Sequence, residues 1–383
     1  MSIELEEKPI FVVGQERSGS TLVMAMLGCH SRLAVPEVAW WYPRFRPFLY
    51  TYGNLDDEAN LRTLADEMAF NLRNPFWGMP INPRSIVDEI IAEVKERSFA
   101  GIYCAMMERY ASHVGKPRWG EKTPNNLYFC DEILADFPGA KIICVTRDGR
   151  DMSCDAIGSD FGPNNIFVAA ENWAHSQAVA QRFRSRLAAE NWFDVHYEDL
   201  VRRPEGVLRE LCVFLGEDYE DEMLNFHQGP IAQARGKLRD HKPLGQPITD
   251  QFVGIYKDQL SLDDQRIYAA VAGKVHTAEG YDLDVEPGAV PDDEAKRFRT
   301  LDACFRAATL AAPGGRLVLE SYHDWLIDQR EVRRQKGVWS EADKPAGGVQ
   351  DDPFFEHIIG LRAPRAWKER LGIKRQYTGI GAV

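Results

Sequence analysis

Apolar residues along the chain form short runs that predict strands joined to helices by glycine-bearing loops. The first such unit begins with the run Ile10-Phe-Val-Val, typical of a buried strand, and turns between Gly14 and Gly19. Apolar positions then recur at helical spacing, at Leu22, Val23, Met26 and Leu27. Because the first N–H groups of a helix lack internal partners and the helix dipole favours negative charge there, this unit predicts a cradle for an anion.

A second unit of the same kind begins with Lys141-Ile-Ile-Cys-Val, the continuous apolar pattern of a strand buried on both faces. The loop after it carries Arg147 and Arg150, which suits a second phosphate of the same ligand, although a solvated charged turn has the same composition. Further short strands are predicted at 33–35 and 193–196. The pattern predicts an α/β protein with a P-loop-type central parallel sheet and helices on both faces.

The chemistry of the first loop differs from that of an ATP- or GTP-binding P-loop. The P-loop motif places a Lys and a hydroxyl residue directly after its second glycine. Here Gly19 is followed by Ser20 and Thr21, and the positive charge lies inside the loop, at Arg17. The loop therefore predicts an anion site with a guanidinium at the terminal group of the anion, and it disfavours a nucleoside triphosphatase.

Length, charge and cysteine usage narrow the class of protein. The 383 residues suffice for one large or two modest domains, and a net charge of −12 argues against nucleic acid as the main partner. The seven cysteines are scattered without a metal-binding spacing, which is typical of reduced thiols, and no ligand cluster predicts a metal. The acidic N-terminus and the lack of a membrane-length apolar run lead us to expect a cytoplasmic protein without transmembrane segments.

An aromatic run at residues 40–52 follows Glu37, which lies at the end of the predicted strand 33–35. Two interpretations of this run stay open. Large aromatic side chains pack hydrophobic cores, but they also form the apolar walls of ligand pockets. In the second interpretation, the run contacts a substrate that is partly apolar or aromatic.

The later part of the chain predicts secondary structure and domain boundaries more than it predicts reactive side chains. Thr123 and Pro124 have the residue types of a helix start and predict a helix to about Asp136. The segment 235–257 is polar and basic and is predicted to be a mobile loop. We expect an α/β domain over residues 1–285 and a C-terminal helical extension over 286–383, which either caps a substrate pocket or forms a homodimer contact.

Several motifs occur in the order found in the sulfotransferase superfamily, whose members transfer a sulfuryl group from 3'-phosphoadenosine-5'-phosphosulfate (PAPS) to a hydroxyl or amine. These motifs are Gly14-Gln-Glu-Arg-Ser-Gly-Ser-Thr-Leu, Lys122-Thr-Pro, Val145-Thr-Arg-Asp-Gly-Arg-Asp, and Tyr197-Glu-Asp-Leu-Val with Pro204 and Phe214-Leu-Gly216. The chain resembles this superfamily over about residues 8–285. Within it, the chain most resembles the bacterial branch that is similar to tyrosylprotein sulfotransferases.

This resemblance implies PAPS as the donor, adenosine 3',5'-bisphosphate as the product, and no metal. It implies two catalytic residues: Arg17 stabilises the transferring group, and Glu37 is the base that removes the proton of the nucleophile. The first loop would bind the 5'-phosphosulfate and Arg147 the 3'-phosphate. The donor-binding residues implied in this way are Gln15, Ser18, Gly19, Ser20, Thr21, Leu22, Arg147, Ser153, Asp155, Tyr197, Lys242 and Lys257.

One implied phosphate ligand departs from the family pattern. Asp155 occupies the position where family members usually carry a serine, and a carboxylate repels a phosphate. Three explanations stay open. Ser153 or Ser159 serves instead, which we favour, or the donor binds weakly or differs at its 3' position, or the protein has taken another task on the same fold.

We therefore expect a PAPS-dependent sulfotransferase that acts by in-line attack of a hydroxyl or amine. The acceptor would be a small molecule, a lipid or a natural product. The first alternative is a repurposed or non-catalytic protein of the same fold, with a donor site altered at Asp155. A P-loop kinase is the less favoured alternative.

Overall fold

The computed structural model of the protein describes residues 3–73, 77–157, 159, 162–237, 243–311 and 317–361. Within these residues the centre is a parallel sheet of five strands in the order β2-β3-β1-β4-β5. The strands are β1 (Ile10–Gly14), β2 (Leu33–Ala34), β3 (Arg118–Lys122), β4 (Lys141–Thr146) and β5 (Trp192–His196). In the central strand, Phe11 is in register with Glu121 of β3 and Ile142 of β4.

Helices cover both faces of this sheet. They are α1 (Ser20–Leu27), α2 (Trp41–Phe45), α3 (Glu58–Ala69), α4 (Ile86–Glu93), α5 (Phe99–His113), α6 (Cys130–Asp136), α7 (Gly149–Ala156), α8 (Ile166–Arg184), α9 (Tyr197–Arg202), α10 (Pro204–Leu215), α11 (Pro230–Arg235), α12 (Tyr256–Gln259), α13 (Leu262–Ala278), α14 (Asp292–Ala311), α15 (Leu317–Gln335) and α16 (Phe355–Ile358). None of the helices in the described part of the chain is long and apolar enough to cross a membrane.

The alternation of side chains along the strands divides the core into two layers. Phe11 and Val13 of β1 belong to one buried cluster, together with residues of α3 and α5. Ile10 and Val12 point to the opposite face, where they pack with apolar residues of α1 and α10. The predicted α/β fold, with a central parallel sheet and helices on both faces, is therefore confirmed.

The strand β3 was not predicted, because its sequence Arg-Trp-Gly-Glu-Lys lacks an apolar run. All five of its residues are nevertheless buried between β2 and β1. Its polar groups find partners there: the Arg118 guanidinium, for example, donates to the Leu215 carbonyl at 2.7 Å. The helix predicted from Thr123 to Asp136 is a 3-10 turn over Pro124–Phe129 followed by α6.

Most of the aromatic run at residues 40–52 belongs to the core. Trp41, Tyr42, Phe45 and Tyr52 are buried in the cluster that also holds Phe11. The core interpretation therefore applies to these four residues. Trp40 is the residue of the run that remains a candidate for the substrate wall.

The described part of the C-terminal extension packs against the same core. Tyr322, Leu326 and Ile358 are buried in the cluster that contains Phe11. The side chain of Asn125, just after β3, donates to the carbonyl of Ile358 at 2.9 Å. The extension thus supports the side of the sheet that carries β3. The boundary between 285 and 286 and the role of the extension stay predictions.

Candidate active site

A cavity of about 220 Å³ lies at the carboxyl ends of β1, β3 and β4. Ligands of open α/β sheets bind at this edge. Its lining combines cationic and apolar side chains, which suits a ligand that is anionic at one end. The residues that line it are Glu16, Arg17, Gly19, Ser20, Thr21, Leu22, Val38, Trp40, Lys122, Pro124, Arg147, Asp155, Tyr197, Arg235, Pro243, Leu244 and Phe252.

The loop between β1 and α1 has a backbone that favours glycine. Gly14 and Gly19 have φ angles of 145° and 97°, and Arg17 has a φ of 74°. A Cβ on Gly19 would lie 2.6 Å from the ring of Tyr197, so a larger residue would displace that ring. α1 starts directly after this glycine, and its first turn contains no acidic residue. Nothing acidic within the helix therefore competes with an external anion at its start.

Lys122, the last residue of β3, brings a buried ammonium to the start of α1. Its Nζ lies 3.3 Å from Thr21 Oγ1 and 4.0 Å from Glu37 Oε2. Burial lowers the pKa of Lys122, and the charge of Glu37 opposes this effect. The Lys122-Thr-Pro motif alone does not predict this role, because a lysine has a predictable position only once its strand is recognised.

Glu37 is fully buried at the other side of this ammonium. Arg235, from the end of α11, donates to both of its carboxylate oxygens, with Nε at 2.7 Å from Oε1. Arg235 had been predicted to start a mobile loop, but it is buried and holds the carboxylate. The pair joins residues that are 198 positions apart in the chain.

A polar cluster behind the cavity fixes the backbone that follows Glu37. Glu121 Oε1 accepts the N–H of Ala39 at 3.1 Å, and Thr123 Oγ1 accepts the N–H of Trp40 at 3.2 Å. Burial raises the pKa of Glu121 to about 7. Through these contacts, the unpredicted strand β3 positions the segment that carries Glu37.

In the second loop, after β4, Arg147 contacts several groups of the protein itself. Arg147 Nη1 pairs with the Asp155 carboxylate and also donates to the Arg17 carbonyl at 3.3 Å. Its Nη2 donates to the Phe252 carbonyl at 2.8 Å, and its guanidinium lies 4.5 Å from the centre of the Tyr197 ring. Arg17 in turn donates to the Asp155 carbonyl at 3.2 Å. These contacts connect the two predicted anion loops directly.

Several predicted donor residues lie beside the cavity without lining it. Gln15 Oε1 accepts from Ser176 Oγ at 3.1 Å. Ser18 is buried, and its hydroxyl has no hydrogen-bond partner among the described residues. Ser153 donates to the Gly149 carbonyl at 2.6 Å and Ser159 to the Ala156 carbonyl at 2.8 Å. Both of these serine hydroxyls are therefore engaged with nearby backbone.

Of the two predicted lysines of the 235–257 segment, Lys257 does not line the cavity. Lys257 is exposed, with its Nζ 5.8 Å from the centre of the Tyr256 ring. Lys242 lies outside the described residues. In the part of the chain that the structure describes, no group of three or more His, Cys, Asp or Glu residues could hold a metal ion.

Residues 9–221, more than half of the chain, match the sequence pattern of the sulfotransferase family. The chain belongs to this family. It is 25% identical over 291 residues to protein-tyrosine sulfotransferase 1 of Danio rerio, which covers 73% of each chain. An uncharacterized protein of Aquifex aeolicus is 27% identical over 232 residues, which are 58% of this chain and 27% of that protein. This chain therefore spans about a quarter of the Aquifex protein.

A solved structure supports the fold independently. The sulfotransferase domain from the Synechococcus PCC 7002 olefin synthase superimposes with a TM-score of 0.51 and 21% sequence identity. The match covers 74% of this chain and 99% of that domain. The resemblance to sulfotransferases that the motifs indicated is thus confirmed for family and fold.

Proposed function

We propose that this protein transfers a sulfuryl group from PAPS to a hydroxyl or amine of a small-molecule acceptor. The observation that carries the proposal is the contact of Lys122 with both Thr21 and Glu37 in a sulfotransferase-family chain: Lys122 and Thr21 line the cavity at the start of α1, and Glu37 is buried directly behind Lys122. A carboxylate, an ammonium and a helix start at one point provide a proton acceptor beside an anion site.

The proposed reaction divides its tasks between these groups. The acceptor oxygen or nitrogen forms a bond to sulfur while the bond from sulfur to the bridging phosphate oxygen breaks. Glu37 takes the acceptor proton, and the products are a sulfate ester or sulfamate and adenosine 3',5'-bisphosphate. Lys122 and the start of α1 stabilise the charge that develops on the bridging oxygen, and Arg17 supports the transferring group.

Arg235 has a positioning role in this proposal. Its guanidinium donates to both oxygens of Glu37 and so fixes the position of the carboxylate. A carboxylate oxygen can accept more than one hydrogen bond, so the contacts with Arg235 do not by themselves prevent Glu37 from taking the acceptor proton. Trp40, Val38 and Leu244 provide apolar surface in the same cavity, which favours an acceptor that is partly apolar or aromatic.

The residues present fit the donor best at the first loop, where the glycine-shaped backbone, Thr21 and Lys122 suit a phosphosulfate. Arg147 and the Tyr197 ring lie where the nucleotide's second anionic group would come, but Asp155 already pairs with Arg147 there. The remaining implied ligands make smaller contributions in this proposal, because Gln15 and Ser153 already have partners within the protein.

Two measurements test the proposal. Calorimetry with adenosine 3',5'-bisphosphate should show binding at micromolar concentration. Mass spectrometry of a panel of phenols, alcohols and amines should show a PAPS-dependent gain of one sulfuryl group. Glu37→Gln should reduce this transfer by about 100-fold or more while nucleotide binding persists. Full activity of this variant would remove Glu37 as the base.

The pairing of Arg147 with Asp155 favours a second candidate, a nucleotide-binding protein of the same family that does not catalyse transfer. It predicts binding of adenosine 3',5'-bisphosphate without sulfuryl transfer to any member of the panel. ATP turnover that does not respond to PAPS would instead support the kinase alternative.

A further inference from the structure

The wall of the cavity at Arg147 presents a carboxylate as well as a guanidinium. Asp155 is 29% exposed, whereas Arg147 is 4% exposed and lies behind it. Three of the four N–H groups on Nη1 and Nη2 of Arg147 already donate, to Asp155, the Arg17 carbonyl and the Phe252 carbonyl. Its Nε is buried, so it adds no donor to the exposed wall. A ligand that reaches this point therefore meets the Asp155 carboxylate.

The two other acidic residues at the start of α7 already have partners within the protein. Asp148 accepts the N–H of Arg150 at 2.9 Å and pairs with its guanidinium. Asp151 accepts the N–H groups of Gly254 and Tyr256 at 2.7 and 3.0 Å. Asp155 lines the cavity and sits at its edge. Its position, more than the general acidity of α7, determines the charge that a ligand meets.

A phosphate and a hydroxyl respond to this carboxylate in opposite ways. A phosphate would have to displace Asp155 from Arg147 or sit beside a like charge in a partly buried site. A ribose hydroxyl would donate a hydrogen bond to the carboxylate without breaking the ion pair. Dinucleotide sites use the same distinction, since an acidic residue holds a free ribose hydroxyl and an arginine accommodates a phosphorylated one.

Resting on the proposed function, we propose that Asp155 is a specificity-determining residue that removes the affinity advantage of the donor's 3'-phosphate. Nucleotides with a free 3'-hydroxyl, such as adenosine 5'-monophosphate (AMP) and adenosine 5'-phosphosulfate, bind at least as tightly as their 3'-phosphorylated counterparts. PAPS remains a substrate, but its 3'-phosphate contributes little to binding.

The test compares AMP with adenosine 3',5'-bisphosphate by calorimetry on the full chain. The unaltered protein should bind AMP as tightly as the bisphosphate or more tightly. Asp155→Asn keeps the size of the side chain and removes its charge. This variant, and Asp155→Ser, should shift the ratio of the two affinities toward the bisphosphate by about tenfold or more.

Asp66→Asn is the matched control, because Asp66 is an exposed aspartate of α3 that does not line the cavity. It removes one negative charge and should leave the affinity ratio unchanged if the effect is local to Asp155. Thermal unfolding of each variant verifies that it is folded. The ratio in the unaltered protein requires no variant at all.

Two results would overturn the inference, and they differ in what else they imply. Tighter binding of the bisphosphate by about tenfold in the unaltered protein, with no change in Asp155→Asn, rejects the role of Asp155 and leaves the proposed function intact. Failure of both nucleotides to bind rejects the proposed function and this inference with it.

Discussion

The two loops that face the cavity have the same architecture and opposite electrostatics. Each follows a buried parallel strand, carries an arginine and leads into a helix. α1 begins after Gly19, without an acidic residue in its first turn. α7 is capped at its start by Asp148, whose side chain accepts the N–H of Arg150, and it has Asp151 in its first turn. The start of α1 is thus available to an external anion, whereas the start of α7 already has carboxylates of the chain itself.

The same contrast separates the two cations. Lys122 reaches the start of α1 from another strand, where its carboxylate neighbour, Glu37, is shared with Arg235. Arg147 is paired within its own unit by Asp155. We therefore expect the first loop to determine the rate of transfer and the second loop to determine which nucleotide binds.

The largest effect is expected at the first loop. Lys122→Ala removes the ammonium beside Thr21 and should lower the turnover number of sulfuryl transfer by about 100- to 1,000-fold, because a charge that develops during the reaction loses its partner. Product formation from PAPS at saturating donor measures this effect. Lys274→Ala, an exposed lysine of α13, is the control. Unchanged turnover in Lys122→Ala would contradict the division of roles.

A smaller effect is expected at the second loop, and on a different quantity. Arg147→Ala leaves Asp155 without its partner at the cavity and should weaken binding of adenosine 3',5'-bisphosphate by about tenfold. Turnover at saturating donor should change less. Calorimetry of Arg147→Ala, Asp155→Ala and the double variant separates the contributions of the two side chains to the affinity for the bisphosphate. If the double variant recovers none of the lost affinity, Asp155 is not the source of the effect.

A third change tests how closely the two loops are packed. Gly19→Ala places a Cβ at 2.6 Å from the Tyr197 ring and strains a φ of 97°, so the free energy of unfolding should fall by about 2 kcal/mol. Gly280→Ala is a matched control, with a φ of 86° and nothing within 4 Å of the added Cβ. Chemical denaturation of both variants measures the difference. Equal losses would mean that backbone strain alone accounts for the effect.

A fourth change tests the support of the first loop. Burial raises the pKa of Glu121 from 4.5 to about 7, so the folded state binds more protons than the unfolded state between these values. Stability linked to this group is therefore lost as the pH rises through this window. Glu121→Gln removes the titration, and its stability relative to that of the unaltered protein should increase by about 1.4 kcal/mol for each pH unit within the window.

The geometry around Glu121 makes this substitution well suited to the test. Asn126 donates to Glu121 Oε2, while its own Oδ1 is buried without a hydrogen-bond partner among the described residues. A rotated Asn126 amide can accept from the new Gln side chain. Denaturation at several pH values measures the difference, and Glu108→Gln, a surface carboxylate of α5 paired with Lys95, is the control. A constant difference between Glu121→Gln and the unaltered protein would contradict the raised pKa.

Local sequence patterns predicted the strand–loop–helix units of the fold but not every strand of the sheet. The apolar runs at 10–13 and 141–145 identified β1 and β4, because strands buried on both faces need apolar side chains throughout. The strand β3 escaped prediction because its Arg, Glu and Lys are typical of a loop. Such residues can occupy a central strand only when neighbouring elements satisfy their charges, and those neighbours are distant in sequence.

The sequence by itself determined the family, the α/β fold and the two strand–loop–helix units, since these depend on residues that are adjacent in the chain. It also identified Asp155 as an unusual residue. The tertiary structure alone decided that Lys122 lies against Thr21 and Glu37, that Arg235 holds Glu37, and that Asp155 closes on Arg147. The first two of these contacts join distant segments, and the third depends on how α7 faces the cavity. Burial and charge pairing act in space, and no local pattern records which partner each group will meet.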